Sequence, residues 1–445
     1  MLVGNDVRRD PRVQKEARTL ADAGYSVGVI GLSYSKAEDW RTEPGGYRVK
    51  VVTPTGPIKQ QVKTTLSSLA PDAYDVLTRR YRRLRGIPER PVAAPAHAPS
   101  APEDERARQT AVMRTSLTAS MRTHGTRSVA HANAAIRTLP RVVHAHDLDT
   151  LQAAAWVARS TGAALVFDSH EIWWKQHADG HAPDEWVAFF RDLERELFPR
   201  CDRVITVCDS IADFFVEQHH VRRPEVIRNA IEVPQGGFRK ADELHPTTAP
   251  IEALFHGGFS FDRGLEELLA AAPALEGARL VLRGFGSLEP QLRAIVERDG
   301  LEDKVRFDNP VPMDQVVDAA SRSDVGIIPY KPVCLNNRYS TPNKMFEYLS
   351  AGVAIAASNL PELRRVITEE DVGALFDPDA PESIADAINT LARDPDRVYE
   401  MRRRAVQAAA ERHNWSVEAP KLLDVYKELL PRRWTKAVRR VALGS

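Results

Sequence analysis

Two successive series of alternating strand-like and helix-like segments constrain the fold of this 445-residue chain more than any other feature. In each series, short runs rich in Val, Ile and Leu alternate with longer segments whose apolar residues recur every three or four positions. A polar, Pro- and Gly-rich stretch, "QGGFRKADELHPTTAP" (235–250), separates the series. Such alternation is typical of parallel sheets covered by helices. We therefore predict an α/β protein with two doubly wound, Rossmann-like domains.

The first series contains one irregular region. Residues 6–32 predict a helix that starts at Pro11 and ends before Gly24, followed by a buried strand, and "YRVKVVTP" predicts another strand. From about 56 to 140 the alternation gives way to a basic run, "RRYRRLRGIPERP", and an Ala/Pro stretch. We interpret this region as an excursion of helices around a flexible Pro-rich loop, outside the core. Alternation returns at "RVVHAHD", "AALVFDSHE" and "RVITVCDS".

The second series predicts six strands, in "EALFHGGF", "ARLVLRGFG", "VRFDNPV", "DVGIIPY", "VAIAAS" and "GALFD". The last segments are helical. The predicted domains are residues 1–235, residues 250–415 and a helical tail at 416–445. In doubly wound folds, ligands bind outside the carboxyl ends of the strands. We therefore expect the functional side chains in the loops that follow the strands.

Composition excludes several classes of protein. Lys plus Arg and Asp plus Glu both number 61, a balance that argues against nucleic acid as a partner. No apolar run approaches the roughly 18 residues needed to cross a bilayer. The three cysteines have neither disulfide-framework nor zinc-ligand spacing, which favours a reducing cytoplasm.

The tail "PRRWTKAVRRVAL" (431–443) places basic residues on one side of a helix and apolar residues on another. This pattern fits a peripheral contact with an anionic membrane surface at the cytoplasmic face. A solvated tail, or a helix that crosses back to the N-terminal domain, fits it as well.

The segment "STPNKMFEYLSAG" (340–352) predicts a helix entrance at which an anion can bind. Ser340 or Thr341 is placed to cap the helix, and Pro342 suits its first turn. Free backbone N–H groups favour a phosphate there, and Lys344 adds a charge. Glu347, one turn further, is placed to accept bonds from sugar hydroxyls. A plain capped helix with Glu347 in a surface ion pair is the alternative.

Two glycine-containing loops follow strands of the same series. Gly257 and Gly258 in "HGGFSFDRG" permit close backbone approach, and Arg263 stands where its guanidinium can grip phosphate oxygens. "RGFGS" (283–287) resembles a degenerate phosphate loop, without the full GxGxxG pattern. We interpret both loops as facing one ligand.

A polar cluster follows two strands of the first series, in "VVHAHDLD" and "LVFDSHE". Three interpretations remain open. The first is a metal-dependent hydrolase that uses His144, His146, Asp168 and His170. The second is the Asp-x-Asp of a metal-using glycosyltransferase, which the two-domain pattern disfavours. The third is a polar cleft floor where His146 contacts a reacting sugar and carboxylates orient it.

The chain resembles the family 4 retaining glycosyltransferases of the GT-B fold, and within them the subset that has a "PNK" segment. The motifs that carry the resemblance are "DPRVQKEARTLADAGYSVGVIGL", "VVHAHDLDTLQAAAWVARSTGAALVFDSHE", "CDRVITVCDSIADFF", "FHGGFSFDRGLEELLAA" and "TPNKMFEYLSAGVAIAASNLPELRRVI". The resemblance implies that a sugar passes from a nucleoside-diphosphate sugar to an acceptor hydroxyl with retention, without a metal or cofactor. The resemblance also assigns residues 1–235 to the acceptor and residues 250–415 to the donor, and the acceptor it implies is a glycan, a lipid-linked molecule or a small molecule.

This resemblance assigns some of the site residues. It implies that Arg263 binds the diphosphate, that Glu347 contacts the ribose and that His146 lies near the transferred sugar. The candidate catalytic residues are His146 and Asp147. The candidate diphosphate contacts are Gly258, Arg263, Ser340, Thr341, Asn343 and Lys344. The candidate nucleoside contacts are Arg283, Gly284, Val311 and Glu347. The candidate acceptor or sugar contacts are Asp149, His170 and Glu171.

The chain departs from the family pattern at two places. Tyr339 stands where the first Glu of the Glu-x7-Glu motif is expected, and "NDVRRDPR" replaces the Gly-rich loop after the first strand. Because of this tyrosine, two further hypotheses remain beside the hydrolase: a nucleotide-sugar binding protein without catalytic activity, or an epimerase on the same fold.

Overall fold

The structure, a computed structural model, describes residues 1–8, 10–54, 102–234 and 236–430. The chain forms two compact units. The first contains Met1–Phe167 and His181–Asp202, and the second contains Asp168–Gly180 and Arg203–Ser445. The chain therefore passes between the units three times. The domain boundaries drawn from the sequence pattern stay predictions.

Within its described residues, the first unit is built on short strands and four α-helices. Its strands are β1 (Gly28–Leu32), β2 (Glu38–Thr42), β3 (Arg48–Val52), β4 (Val142–His146) and β5 (Ala164–Ser169), the last of which runs across the unit boundary. Its helices are α1 (Pro11–Asp22), α2 (Pro102–Ile136), α3 (Leu148–Thr161) and α4 (Asp184–Leu197).

Leu2 connects the two parts of the sheet in this unit. It forms isolated parallel bridges to Ile30 of β1 and Ala145 of β4. β3 pairs in parallel with β1 and antiparallel with β2. The sequence pattern predicted β1 and β3 but missed β2, because its residues, EDWRT, are polar and only partly buried. A one-sided edge strand of this kind lacks the apolar run that marks a buried strand.

The interpretation of residues 56–140 as lying outside the core is wrong for helix α2. Its 35 residues pack against β1, α3 and α4. The side chains that it buries are His124, Arg127, Ser128, His131, Ala132 and Ala135. Most of these are polar or small, so the helix lacks a conventional apolar stripe. Residues 55–101, which include the basic run and the Ala/Pro stretch, lie outside the described residues.

The second unit contains the remaining elements. Its strands are β6 (Arg203–Thr206), β7 (Glu225–Val226), β8 (Ile251–Gly258), β9 (Ala278–Phe285), β10 (Val305–Asp308), β11 (Val325–Ile328), β12 (Ala354–Ser358) and β13 (Gly373–Phe376). Its helices are α5 (Asp209–His219), α6 (Leu265–Ala271), α7 (Glu289–Arg298), α8 (Val316–Ala320), α9 (Leu335–Tyr339), α10 (Asn343–Ala351), α11 (Pro361–Glu370), α12 (Pro381–Ala392), α13 (Pro395–Glu411) and α14 (Trp415–Leu429).

Six parallel strands form the main sheet of this unit, in the order β10-β9-β8-β11-β12-β13. All six were predicted, because each contains a short run of apolar residues, although β10 and β13 each bury only one residue. The chain starts at β8, builds outward through β9 and β10, and then returns to β11 on the other side. This reversal between β8 and β11 creates the crevice in which doubly wound folds bind ligands.

The last helix, α14, joins segments of the second unit that are distant in sequence. Glu428 accepts hydrogen bonds from Arg203, with Nε at 2.9 Å, and Lys421 donates to the Val226 carbonyl at 3.3 Å. These bonds tie α14 to β6 and β7. Among the described helices, none is long and apolar enough to span a membrane. The basic tail at 431–445, with its predicted membrane contact, lies outside the described residues.

Candidate active site

The crevice between β8 and β11 is lined by a turn that requires glycine. Gly264 follows Arg263 with a φ of +70°, and a Cβ there would lie 1.9 Å from the Pro329 carbonyl oxygen. Lys331 N donates to Asp262 O at 3.3 Å. The turn after β8 is therefore held directly against the segment that follows β11.

This turn places Arg263 on an aromatic ring that the sequence analysis did not single out. The guanidinium carbon of Arg263 lies 4.2 Å from the centre of the Tyr330 ring. Tyr330 follows β11 and is buried. A cation at this distance from a ring face is attracted by the quadrupole of the ring.

Lys344 reaches the same tyrosine from α10. Its Nζ donates to Tyr330 Oη at 2.9 Å and lies 4.8 Å from the centre of the Phe255 ring. A Cβ on Gly257, whose φ is +129°, would lie 3.3 Å from this Nζ, so the glycine leaves room for the ammonium group. Burial raises the pKa of Tyr330, but the nearby Lys344 and Arg263 lower it more, and the net shift is downward.

The entrance of α10 differs from the prediction in one respect. Pro342 occupies the N-cap, and no side chain caps the helix, so neither Ser340 nor Thr341 is the cap. Ser340 Oγ instead donates to Asn337 O at 3.3 Å. Asn343 Oδ1 accepts from Asn229 Nδ2 at 2.9 Å. An entrance without a side-chain cap still directs backbone N–H groups outward, which is the property on which the anion prediction depends.

Of the predicted nucleoside contacts, Arg283 and Gly284 lie on β9, Val311 lies in the loop after β10 and Glu347 lies on α10. His256, Arg283 and Asp308 stand in register across β8, β9 and β10. Arg283 donates to Asp308 at 2.9 Å. Burial raises the pKa of Asp308, but Arg306 and Arg283 lower it more, so this carboxyl remains charged. Val311 is half-buried in the loop after β10.

Glu347 has a partner that the sequence analysis did not consider. His256 Nε2 lies 2.8 Å from Glu347 Oε2, and the His256 ring stacks on Tyr348 with centroids 4.7 Å apart. Gly284 has a structural reason for being glycine, because a Cβ there would lie 1.9 Å from the Gly257 carbonyl oxygen. Gly257 and Gly258 lie within β8, and Arg283 and Gly284 lie within β9, so these residues belong to strands and not, as predicted, to loops that follow them.

In the first unit, His146 belongs to a fully buried group. Its ring stacks on His144 with centroids 4.3 Å apart. Glu16 Oε2 lies 3.8 Å from Nε2 of His144 and 4.0 Å from Nε2 of His146. Arg12 Nε lies 3.1 Å from the other Glu16 oxygen. The contact of His146 with a sugar stays a prediction.

The neighbouring aspartates of α3 have different environments. Asp147 adopts a φ of +62° immediately before the helix, an unusual conformation for a residue other than glycine. Asp149 is buried and accepts from Arg127 of α2 at 3.2 Å. Arg127 lies in the region that the sequence pattern did not place in the core, so this pairing was missed.

The other polar residues of the predicted cluster belong to the second unit. His170 Nε2 lies 3.1 Å from Asp168 Oδ2, and Ser169 Oγ donates to Glu171 O at 2.8 Å. Of the four residues of the hydrolase hypothesis, His144 and His146 belong to the first unit, where Glu16 adds a third side chain that could bind a metal ion, and Asp168 and His170 are assigned to the second.

Comparison with known proteins identifies the family. The description "Glycosyltransferase Family 4" matches residues 77–234, and "Glycosyl transferases group 1" matches residues 250–394. A D-inositol 3-phosphate glycosyltransferase of Acidothermus cellulolyticus is 31% identical over 323 residues, which cover 68% of this chain and 70% of that protein. A GDP-mannose:cellobiosyl-diphosphopolyprenol alpha-mannosyltransferase of Xanthomonas oryzae is 25% identical over 296 residues, covering 65% of this chain and 74% of that protein.

Solved structures show the same fold. Sucrose-phosphate synthase from Thermosynechococcus elongatus superposes with a TM-score of 0.66 at 14% identity, covering 94% of this chain and 92% of that one. Anabaena HepE in complex with UDP and glucose superposes with a TM-score of 0.61 at 13% identity, covering 96% and 98%. The family match favours glycosyl transfer over the hydrolase. This chain belongs to glycosyltransferase family 4 and is a glycosyltransferase of the GT-B fold.

Proposed function

We propose that this enzyme transfers a hexosyl or related sugar from a nucleoside-diphosphate sugar to an acceptor hydroxyl, with retention of anomeric configuration and without a metal ion. The observation that carries the proposal is the pair of cations, Arg263 and Lys344, on the buried Tyr330. They lie at the point where the strand order of the second unit reverses. Two fixed cations at such a crevice suit a diphosphate.

The leaving group needs these charges most. When the bond between the anomeric carbon and the diphosphate oxygen breaks, negative charge develops on the diphosphate. Arg263 and Lys344 stabilise that charge from fixed positions, which is the largest contribution that such a site can make to the rate. The acceptor oxygen forms its bond on the same face of the sugar, and its proton passes to the departing phosphate oxygen. The configuration is therefore retained.

The nucleoside lies, in this proposal, along the row formed by His256, Arg283 and Asp308, with Glu347 accepting the ribose hydroxyls. Glu347 has the required chemistry, because a carboxylate accepts two hydrogen bonds from vicinal hydroxyls. HepE was crystallised with UDP and glucose, and the Xanthomonas relative is named for GDP-mannose. Both names support a nucleotide sugar as the donor.

The acceptor is a hydroxyl of a glycan, a lipid-linked molecule or a small molecule. His146, Asp147, Asp149, His170 and Glu171 are the residues proposed to contact the acceptor or the transferred sugar. The name of the Xanthomonas relative contains a diphosphopolyprenol, and that of the Acidothermus relative contains an inositol phosphate. The proposal therefore includes lipid-linked and soluble acceptors.

Calorimetric titration of UDP, GDP and ADP, followed by incubation with the matching sugar nucleotides, tests the proposal. We expect one nucleoside diphosphate to bind with EDTA present, and its sugar nucleotide to be hydrolysed slowly without acceptor. NMR of the transferred sugar should show the anomeric configuration of the donor. Binding without hydrolysis or transfer would indicate a binding protein, and an altered free sugar nucleotide would indicate an epimerase.

A further inference from the structure

Tyr330 is the one contact that Arg263 and Lys344 share among the interactions described above. Arg263 lies over the ring face at 4.2 Å, and Lys344 donates to the hydroxyl at 2.9 Å. Two positive charges close together repel each other, more strongly where water is partly excluded. The phenol offsets this repulsion in two ways, since its ring face attracts one cation and its oxygen accepts from the other.

The position of Tyr330 is fixed by the fold and not by a ligand. It follows β11 by two residues and is only 8% exposed. The preceding residue, Pro329, contacts the turn at Gly264, and the next residue, Lys331, is bonded to Asp262. Both neighbours of Tyr330 are thus attached to the turn that carries Arg263.

We infer that Tyr330 is a positioning residue that holds Arg263 and Lys344 in the arrangement that receives the diphosphate of the donor. The inference rests on the proposed function and deepens it. Cations that already have the correct positions lose little conformational freedom when the ligand binds, and this preorganisation increases affinity and transition-state stabilisation. The lowered pKa of Tyr330 agrees with this geometry, since it reflects the same two cations.

Two substitutions separate the contributions of the ring and the hydroxyl. Tyr330→Phe keeps the ring face for Arg263 and removes the acceptor for Lys344, so we expect inorganic pyrophosphate to bind about three- to tenfold more weakly. Tyr330→Leu removes both, and we expect a loss of roughly 30-fold or more. The free nucleoside should bind both variants as it binds the wild type. A merely structural role would weaken the binding of both ligands together in Tyr330→Leu, and Tyr330→Phe, which preserves the shape of the side chain, would bind both like the wild type.

Tyr399→Phe is the matched control. It removes a different phenol hydroxyl, that of Tyr399 on α13, which donates to the Ala241 carbonyl oxygen. This variant should bind pyrophosphate like the wild type. If Tyr330→Leu does not fold, Tyr330→Phe decides the question, because it preserves the shape of the side chain.

A double-substitution cycle provides the sharpest measurement. Lys344→Met should reduce pyrophosphate affinity by a larger factor in the wild type than in Tyr330→Phe, because the tyrosine no longer positions the lysine in the variant. Equal factors, or Tyr330→Phe affinity within twofold of wild type, would overturn the inference. Failure of the wild type to bind any nucleoside diphosphate would instead overturn the proposed function.

Discussion

Lys344 is difficult to explain by folding alone. Its ammonium group is buried, and its hydrogen-bond partner is the phenol of Tyr330. Burying an ammonium group costs free energy, and an apolar side chain often serves stability better at such a position. The anionic diphosphate that we propose as ligand would offset this cost.

The first prediction at the residue scale concerns Arg263. Arg263→Ala should weaken nucleoside-diphosphate binding by about 1.5–3 kcal/mol, since a charge-assisted bond to phosphate is lost. Isothermal titration calorimetry measures the change, and the melting temperature should stay close to that of the wild type. Arg298→Ala is the control, because Arg298 is an exposed arginine paired with Asp299. Unchanged affinity of Arg263→Ala would remove this residue from the site.

His146 gives a prediction in the other unit. His146→Gln should leave nucleotide affinity unchanged, because the donor residues lie in the second unit, and should reduce transfer at least roughly 100-fold. Initial rates with a saturating donor measure the effect. His144→Gln, a change in the stacked neighbour, is the control for damage to the buried group. Near-normal turnover in His146→Gln would mean that the histidine is structural.

The sequence indicates the ligand-facing residues better than their partners. Gly257, Arg263 and Lys344 can be singled out because each lies at the carboxyl end of a strand, shortly after one or at the start of a helix, where doubly wound folds collect ligand-binding groups. Tyr330 has the same kind of position, directly after the strand in "DVGIIPY", and this signal was available. Its role was not predictable, because it depends on two side chains that are 67 and 14 residues away in the chain.

At the scale of elements, α2 shows why buried polar residues defeat pattern analysis. Its inward face includes His124, Arg127 and His131, which ordinarily indicate a solvated surface. Their partners explain the burial. His131 contacts the Val3 carbonyl oxygen at 3.1 Å, and His124 lies edge-on against the rings of Phe189 and Phe190. No periodicity of apolar residues in the sequence carries this information.

The histidines of α2 predict acid sensitivity. Burial lowers the pKa of His124 and of His131 from 6.5 to about 4. The unfolded chain binds protons first, so the free energy of unfolding should be highest above pH 6.5 and fall as the pH decreases toward about 4. Urea unfolding at a series of pH values measures this dependence. For each histidine, one unit of pKa shift corresponds to about 1.4 kcal/mol of unfolding free energy.

Substitution of one histidine tests the cause. His124→Phe should flatten the decrease in stability between pH 6.5 and 4, because one of the two groups is removed. His220→Asn is the control, since this histidine is exposed and Asn tolerates its left-handed conformation. An unchanged slope in His124→Phe would show that other groups cause the acid sensitivity.

The turn between β8 and α6 gives a second prediction at this scale. Gly264→Ala forces a Cβ into the Pro329 carbonyl as well as an unfavourable φ. Gly300→Ala causes only the unfavourable φ, since Gly300 has a φ of +63° and nothing lies within 4 Å of a Cβ there. Gly300→Ala should lose about 1–2 kcal/mol of unfolding free energy, and Gly264→Ala should lose more and also bind the donor more weakly. Equal losses, measured by urea unfolding, would mean that the turn adjusts freely.

At the scale of the whole molecule, the alternation of segments was enough to predict the fold class. The six strands of the main sheet are short runs rich in apolar residues, and parallel pairing follows from the helices between them. The assignment of chain segments to the two units could not be predicted from the sequence. It depends on contacts between distant segments, such as the Ser210 amide with Glu362 Oε1 at 2.8 Å and the Arg228 amide with Glu418 Oε2 at 3.1 Å.

The proposed metal-independent mechanism predicts how the rate of transfer responds to chelation. Transfer in excess EDTA should stay within about twofold of the untreated rate, because Arg263 and Lys344 provide the positive charge for the leaving diphosphate. Initial-rate assays before and after chelation, with Mg²⁺ and Mn²⁺ added back, measure this. A loss of activity that either ion restores would contradict the mechanism.

The three crossings of the chain between its units limit how this enzyme can be recombined with its relatives. Chimeras of two-domain enzymes are commonly joined at the linker, here 235–250. Such a joint would pair Glu362 and Glu418 with foreign residues in place of Ser210 and Arg228, and α14 would face a foreign β6 and β7. A graft that also carries 168–180 and 203–234 keeps these bonds. The exchangeable module for donor specificity is therefore assembled from separate stretches of chain and is not a contiguous half of the gene product.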